Sequence, residues 1–171
     1  AYSIQETSDG GYIVAGYTES FGAGHWNCLV IKLSASGAVS WAKMYGGSNG
    51  DMAYSIQETS DGGYIVAGYT RSLGASNGDF LVIKLDASGN KIWAKMYGGS
   101  SYDEAYFIQE TSDGGYIVAG YTDSFSAGND NFLVIKLDSL GNKIWAKTYG
   151  GSSYDEAYSI QETSDGGYIV T

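Results

Sequence analysis

One ten-residue segment occurs four times in this chain of 171 residues, always at a spacing of 52. The segment is Gln-Glu-Thr-Ser-Asp-Gly-Gly-Tyr-Ile-Val, and its copies begin at Gln5, Gln57, Gln109 and Gln161. A fixed period of this length is typical of propellers, solenoids and other arrays in which each period forms one structural unit. The repeat therefore constrains the fold more strongly than any other feature of the chain.

The period divides the chain into three full repeats and the start of a fourth, which we predict to be separate blades: 1–52, 53–104, 105–156 and 157–171. The second and third repeats differ at only ten positions. Such near-identity indicates recent amplification or deliberate design. No linker or shift in composition marks a domain boundary.

Each repeat contains four strand-like runs rich in β-branched and aromatic residues, in the second repeat 54–59, 64–70, 80–85 and 91–97. Asp-Gly-Gly and Asp-Ala-Ser-Gly-Asn supply tight turns between them. The third run is almost continuously apolar, which is typical of a strand covered on both faces. The fourth carries two lysines, which discourage pairing at an exposed sheet edge. The sequence therefore predicts an all-β fold of propeller-type blades, each with four antiparallel strands.

Four blocks recur in the same order along the chain: Ala-Tyr-Ser-Ile, Asp-Gly-Gly-Tyr-Ile-Val-Ala-Gly-Tyr-Thr, Phe-Leu-Val-Ile-Lys-Leu-Asp-x-x-Gly and Trp-Ala-Lys-x-Tyr-Gly-Gly-Ser. This order resembles the β-propeller repeat of bacterial and archaeal surface or secreted proteins. The resemblance covers the whole chain. It implies propellers that are often seven-bladed, an extracellular or cell-surface location, and no shared catalytic residues. WD40 repeats are less similar, because their Gly-His and Trp-Asp signatures are missing.

Three and a quarter repeats do not supply the roughly four to eight blades that close a ring. We therefore expect self-association, as a homo-oligomer that completes a propeller, or continuation into the remainder of a longer array. The alternative fold is a β-trefoil, which three repeats would close alone. A trefoil leaves residues 157–171 redundant.

Charge and hydropathy argue against several classes of partner. The net charge is −10, with only 9 Lys and Arg, so neither nucleic acid nor an anionic membrane surface is an expected partner. Apolar runs are only a few residues long, which predicts no membrane insertion. The single cysteine, Cys28, excludes an internal disulfide framework.

Alternating strands place the longer second-to-third loops, 19–27, 71–79 and 123–131, on one side with the Tyr-Gly-Gly-Ser connections; we call this side the loop face. These loops are where the repeats differ, a layout typical of a recognition surface, although loops also tolerate drift without any function. We predict that a protein or glycan ligand contacts this face. The candidate ligand-binding residues are His25, Trp26, Asn77, Asp79, Asp103, Asn129, Asp130 and Asp155.

Catalysis and cofactors have little support in the sequence. His25 is the only histidine in the chain. The nearby Cys28 stands where the other repeats have a core Phe, so we predict that Cys28 is buried as a small hydrophobic residue. We expect Trp26 to fill the space that the Phe side chain would occupy. Acidic loops could hold calcium, but no Asp-x-Asp-x-Asp-Gly ladder occurs, so neither a metal nor a cofactor is expected.

Two further recurring positions favour structural roles. The recurring Trp41, Trp93 and Trp145 are expected to pack between blades, although they could stack on sugars. The recurring glutamates are expected to line a polar channel: Glu6, Glu58, Glu110 and Glu162. We predict a structural or binding module that is not an enzyme. The alternative is a glycan-directed hydrolase or lyase that uses carboxylates on the loop face.

Overall fold

The computed structural model describes residues 1–22, 25–73, 77–126 and 128–171. Within these ranges the chain forms strands and turns, with no helix that could span a membrane. The described strands are β1 (Ser3–Glu6), β2 (Tyr12–Thr18), β3 (Asn27–Leu33), β4 (Val39–Tyr45), β5 (Asp51–Glu58), β6 (Tyr64–Thr70), β7 (Asp79–Leu85), β8 (Lys91–Tyr97), β9 (Asp103–Glu110), β10 (Tyr116–Thr122), β11 (Asn131–Leu137), β12 (Lys143–Tyr149), β13 (Ile160–Glu162) and β14 (Tyr168–Val170).

The strands form three four-stranded antiparallel sheets and one two-stranded hairpin. Sheet 1 contains β1–β4, sheet 2 contains β5–β8, sheet 3 contains β9–β12, and β13 pairs with β14. This confirms the predicted all-β fold with four antiparallel strands per repeat. A trefoil would combine strands of all three repeats in one barrel, whereas each described sheet pairs only strands that follow one another in the chain.

Local sequence explains most strand limits in sheet 2. The second and fourth predicted runs coincide with β6 and β8, and a hydrogen bond from Asp86 N to Asn90 O closes the predicted turn before β8. β5 and β7 begin earlier than predicted, at Asp51 and Asp79. Both aspartates lie opposite Thr70 in the register, so β6 extends its neighbours on either side by pairing at its last residue.

The hydrophobic core lies between consecutive sheets. We call the side of each sheet that meets the next sheet its forward face, and the other side its rear face. Between sheets 1 and 2, the buried residues are Ile13, Ala15, Cys28 and Val30 from the forward face and Ile56, Val66, Leu81 and Ile83 from the rear face. The same positions, 52 residues later, fill the space between sheets 2 and 3. Cys28 is fully buried there, as predicted for a small hydrophobe.

The recurring glutamates connect each sheet to the turn of the sheet before it. Glu58 accepts hydrogen bonds from the backbone N–H of Ser8 at 2.7 Å and from its hydroxyl at 2.9 Å. The backbone N–H of Glu58 donates to Gln5 Oε1 at 2.9 Å. Glu110 and Glu162 repeat this arrangement in the following sheets. These three glutamates are therefore inter-sheet clamps, a role that the sequence analysis did not predict, and their place along a channel stays a prediction.

A buried lysine fixes the Ser-Asp-Gly-Gly turn of each full repeat. In sheet 2, Lys84 Nζ donates to Asp61 at 2.9 Å, to Thr59 Oγ1 at 3.0 Å and to Leu85 O at 3.2 Å. Burial opposes ionisation of Asp61, but hydrogen bonds from Thr59, Lys84 and Gly63 outweigh it and lower the pKa of this carboxyl to about 2. The Asp61 carboxylate of the preceding turn thus gives the buried Lys84 side chain a partner within an apolar strand.

Candidate functional site

The loop face forms as predicted, with the second-to-third loops lying beside the connections between sheets. A backbone hydrogen bond joins the two at each junction: Asp51 N to Trp26 O at 2.8 Å, Asp103 N to Gly78 O at 3.1 Å, and Asp155 N to Asp130 O at 2.9 Å. Positions 23, 24, 74–76 and 127 of the predicted loops lie outside the described residues.

Asp103, a candidate ligand-binding residue, lies beneath the loop face and anchors it. Its side chain is fully buried and accepts hydrogen bonds from Gly99 N at 2.9 Å, from Ser124 Oγ at 2.6 Å and from the Thr122 hydroxyl. Asp51 holds the corresponding groups in sheet 2. These carboxylates hold the start of each loop against the preceding connection. Sequence reasoning missed this role, since both hydroxyl donors are about twenty residues away from the carboxylate in the sequence.

The other candidate Asp and Asn residues are distributed around the same junctions. Asp79 is buried, and its carboxylate and that of Asp103 both lie close to Gly98. Asn77 and Asn129 donate from their amides to the carbonyls of Ser100 and Ser152, at 3.0 and 3.5 Å, and so tie each loop to the following connection. Asp155 accepts a hydrogen bond from Gly151 N at 2.9 Å.

His25 and Trp26 lie at the surface of the first loop. The Trp26 ring is 43% exposed, lies 5.8 Å from the Tyr17 ring and donates from Nε1 to Glu19 at 2.5 Å. The expectation that Trp26 fills the Phe space of the core was therefore wrong. Its indole instead enlarges the exposed aromatic surface of the loop face.

The loop face also carries large apolar side chains that the sequence reasoning did not select. Phe21, Leu73 and Phe125 occupy the same position in the three repeats, and they are 66%, 45% and 55% exposed. Tyr102 and Tyr154 are exposed on the neighbouring connections. The signal that could have found them is an apolar residue kept inside an otherwise polar and variable loop.

Tyrosines one period apart form a row along the first strands of the sheets. The ring centroids of Tyr2 and Tyr54 are 5.0 Å apart, those of Tyr54 and Tyr106 5.5 Å, and those of Tyr106 and Tyr158 5.2 Å. Tyr17 continues the row from Tyr2 to Trp26 at the loop face. Trp41 packs between consecutive sheets, where its ring centroid lies 5.9 Å from that of Tyr64 in the next sheet.

An acidic group in the third loop has an altered protonation equilibrium. The pKa of Asp130 is raised to about 6. The largest cause is burial, followed by the hydrogen bond with Asp123, the charge of Asp123 and the charge of Glu156. In the second repeat, Gly78 stands at the position of Asp130, so this carboxyl pair belongs to one loop only. No grouping of His, Cys, Asp or Glu suited to a metal ion was found in the described ranges.

We expect acidification to stabilise the third loop. A carboxyl whose pKa is higher in the folded chain than its ordinary value of 3.8 contributes most stability below that value and loses it as the pH rises through about 6. Lowering the pH from 7 to 5 should therefore raise the melting temperature relative to an Asp130→Asn variant, in which this contribution is absent. Carboxyl-carbon NMR titration of Asp130 checks the assignment directly. A midpoint near 4, or an equal pH response in Asp130→Asn, would contradict it.

Comparisons of the sequence with models of protein families and with curated proteins found no match.

Proposed function

We propose that the chain is a structural and binding repeat module whose loop face recognises a protein or a glycan. The observation that carries this proposal is the set of exposed apolar side chains at one repeated position, Phe21, Leu73 and Phe125. In sheets 2 and 3 these residues follow loop segments held by the buried Asp51 and Asp103. Rigidly mounted apolar side chains lose little conformational entropy on binding, which favours recognition.

The charge of this surface limits the chemistry of the ligand. Carboxylates of Glu19, Asp123 and Asp130 belong to the first and third of these loops, and the whole chain carries a net charge of −10. Aromatic rings contact the apolar faces of sugars or of protein side chains, while carboxylates accept hydrogen bonds from hydroxyl and ammonium groups. A neutral glycan or a basic protein segment therefore fits this face better than an anionic ligand.

The arrangement of the sheets supports a propeller as the scaffold. The first strands approach closely enough for their tyrosine rings to touch, whereas grooves of about 280 and 390 Å³ separate the outer parts of consecutive sheets. Sheets that converge at one edge and diverge at the other suit a radial array. Our proposal includes completion of the ring by self-association or by the remainder of a longer array. It also includes an extracellular or cell-surface location, which rests on the family resemblance.

Paired alanine variants on opposite sides of the molecule test the binding role. Leu140 is as exposed as Phe21, at 66%, but lies in the turn between β11 and β12, away from the loop face. On a glycan array and in pull-downs with defined basic peptides, Phe21→Ala with Phe125→Ala should weaken binding at least about tenfold, as expected for loss of central aromatic contacts. Leu140→Ala should leave it unchanged. Binding that survives the double substitution would refute the loop-face assignment.

The second candidate function is hydrolysis or elimination on a glycan, and the Asp123–Asp130 pair favours it. Environments that separate the pKa values of neighbouring carboxyls are typical of acid–base pairs, although structural clusters also show them. Glycan turnover that Asp130→Asn abolishes and Asp138→Asn preserves would establish this candidate. Absence of turnover on the glycans that bind the loop face would reject it in favour of the non-enzymatic module.

A further inference from the structure

The two ends of the described chain carry the same hairpin. Residues 157–170 repeat residues 1–14 without a single change. At one end, β1–β2 pairs with β3, but no described residue covers the rear face of sheet 1. At the other end, β13–β14 packs on sheet 3, but no described strand lies beside β14. Each copy of the hairpin thus has the neighbour that the other copy lacks.

An open groove lies beside β14 on the forward face of sheet 3. It has a volume of about 500 Å³ and is lined by Phe132, Val134, Trp145, Lys147, Tyr149, Tyr168 and Val170. Between sheets 1 and 2 the corresponding space is filled by Leu81 and Ile83 of β7. The groove therefore has the shape and chemistry of a site for the third strand of a repeat.

The strand β3 carries the side chains that this groove accommodates. Leu29 and Ile31 stand one period before Leu81 and Ile83, and they remain partly exposed on the rear face of sheet 1. In the next turn, Gly37 corresponds to Gly89, whose carbonyl accepts a hydrogen bond from the Tyr45 hydroxyl at 2.7 Å. Tyr149, at the edge of the groove, corresponds to Tyr45.

We propose that β13–β14 of one copy takes the place of β1–β2 in a second copy of this chain. β14 then pairs with the second copy's β3 in the register that β2 uses, where Tyr12 stands opposite Leu33 and Val14 opposite Ile31. Tyr168 replaces Tyr12 and Val170 replaces Val14. The incoming β3–β4 fills the groove on sheet 3, and the shared sheet consists of two strands from each copy.

The incoming hairpin supplies the counterparts of Tyr12, Ile13 and Val14, so three of the seven residue pairs between β2 and β3 are restored. What favours the exchange is burial, because the groove on sheet 3 and the rear-face side chains Leu29 and Ile31 lose their contact with water. The forward and rear faces differ, so the contact runs head to tail. Such a contact closes into a ring if two copies exchange reciprocally, and otherwise extends further.

Cysteine pairs distinguish exchange from simple stacking of intact sheets. The first variant combines Val170→Cys and Ile31→Cys in a Cys28→Ala background. Its thiol at position 170 of one copy lies directly opposite the thiol at position 31 of the other copy only if β14 pairs with the second copy's β3. Ile169→Cys with Ile4→Cys instead reports stacking of sheet 1 on the intact hairpin. We expect oxidation to link the first pair and not the second, into species of at least twice the 18.1 kDa chain mass.

Light scattering without cross-linking completes the test. At tens of micromolar the unmodified chain should have at least twice the mass of one chain. Ile31→Asp, which places a charge in the filled groove, should return it to 18.1 kDa, while Val39→Asp on the exposed β4 should not. A chain that remains at 18.1 kDa at all concentrations would overturn the proposal. Cross-linking of the stacking pair alone would do so as well.

Discussion

Asp103→Ala should lower the free energy of unfolding by about 2–4 kcal/mol. The substitution removes a fully buried acceptor and leaves the Gly99 N–H and the hydroxyls of Thr122 and Ser124 without their partner. A buried donor that loses its acceptor costs about 1–3 kcal/mol. Urea denaturation followed by far-UV circular dichroism measures the effect.

Asp155 provides a matched control one period later. It accepts the equivalent backbone hydrogen bond from Gly151, but no described hydroxyl donates to it as those of Thr122 and Ser124 donate to Asp103. Asp155→Ala should therefore cost less than about 1 kcal/mol, the usual range for a substitution away from buried networks. Equal losses in the two variants would show that the carboxylate is not the element that holds the loop.

Gly120→Ala should prevent sheet 3 from forming its native pairing, at a cost above about 4 kcal/mol. A Cβ at this position would lie 1.9 Å from the carbonyl oxygen of Glu104 and 2.9 Å from Cα of Ala105. Both atoms belong to the backbone of β9, where the register shifts beside Gly120, so the clash can be relieved only by moving a strand. The soluble yield and the denaturation midpoint report the loss.

Gly151→Ala is the corresponding control, because a Cβ there meets no described atom within 4 Å. Its effect should lie within about 0.5 kcal/mol. If Gly120→Ala also stayed within that range, the close approach of β9 and β10 in this structure would be wrong.

Strand order was predictable because it depends on short-range patterns. Turn residues, alternating side chains and one apolar run per repeat placed the strands of sheet 2 to within three residues at every end. The lysine inside that run, Lys84, was less informative, because sequence alone does not show that Asp61 reaches it from the preceding turn.

The candidate site was predictable only as a location. Variable loops indicated the correct side of the molecule, but charge in a loop suggested solvent exposure, whereas Asp103 proved to be buried. Trp26 shows the opposite error, because an aromatic residue beside a core strand suggested burial. Asp103 is held by groups about twenty residues away, and Trp26 by a ring contact with Tyr17 and a hydrogen bond to Glu19 across the loop. The local sequence pattern specifies neither set of contacts.

The inter-sheet clamps have a consequence for how the gene can change. Ser8 and Glu58 are 50 residues apart, as are Ser60 and Glu110, and Ser112 and Glu162. Lys43 reaches Asn90 across 47 residues, and Lys95 reaches Asn142 across the same interval. Recombination that gains or loses one whole 52-residue period leaves all of these intervals unchanged. The number of sheets can therefore vary between descendants without any new interface having to arise by mutation.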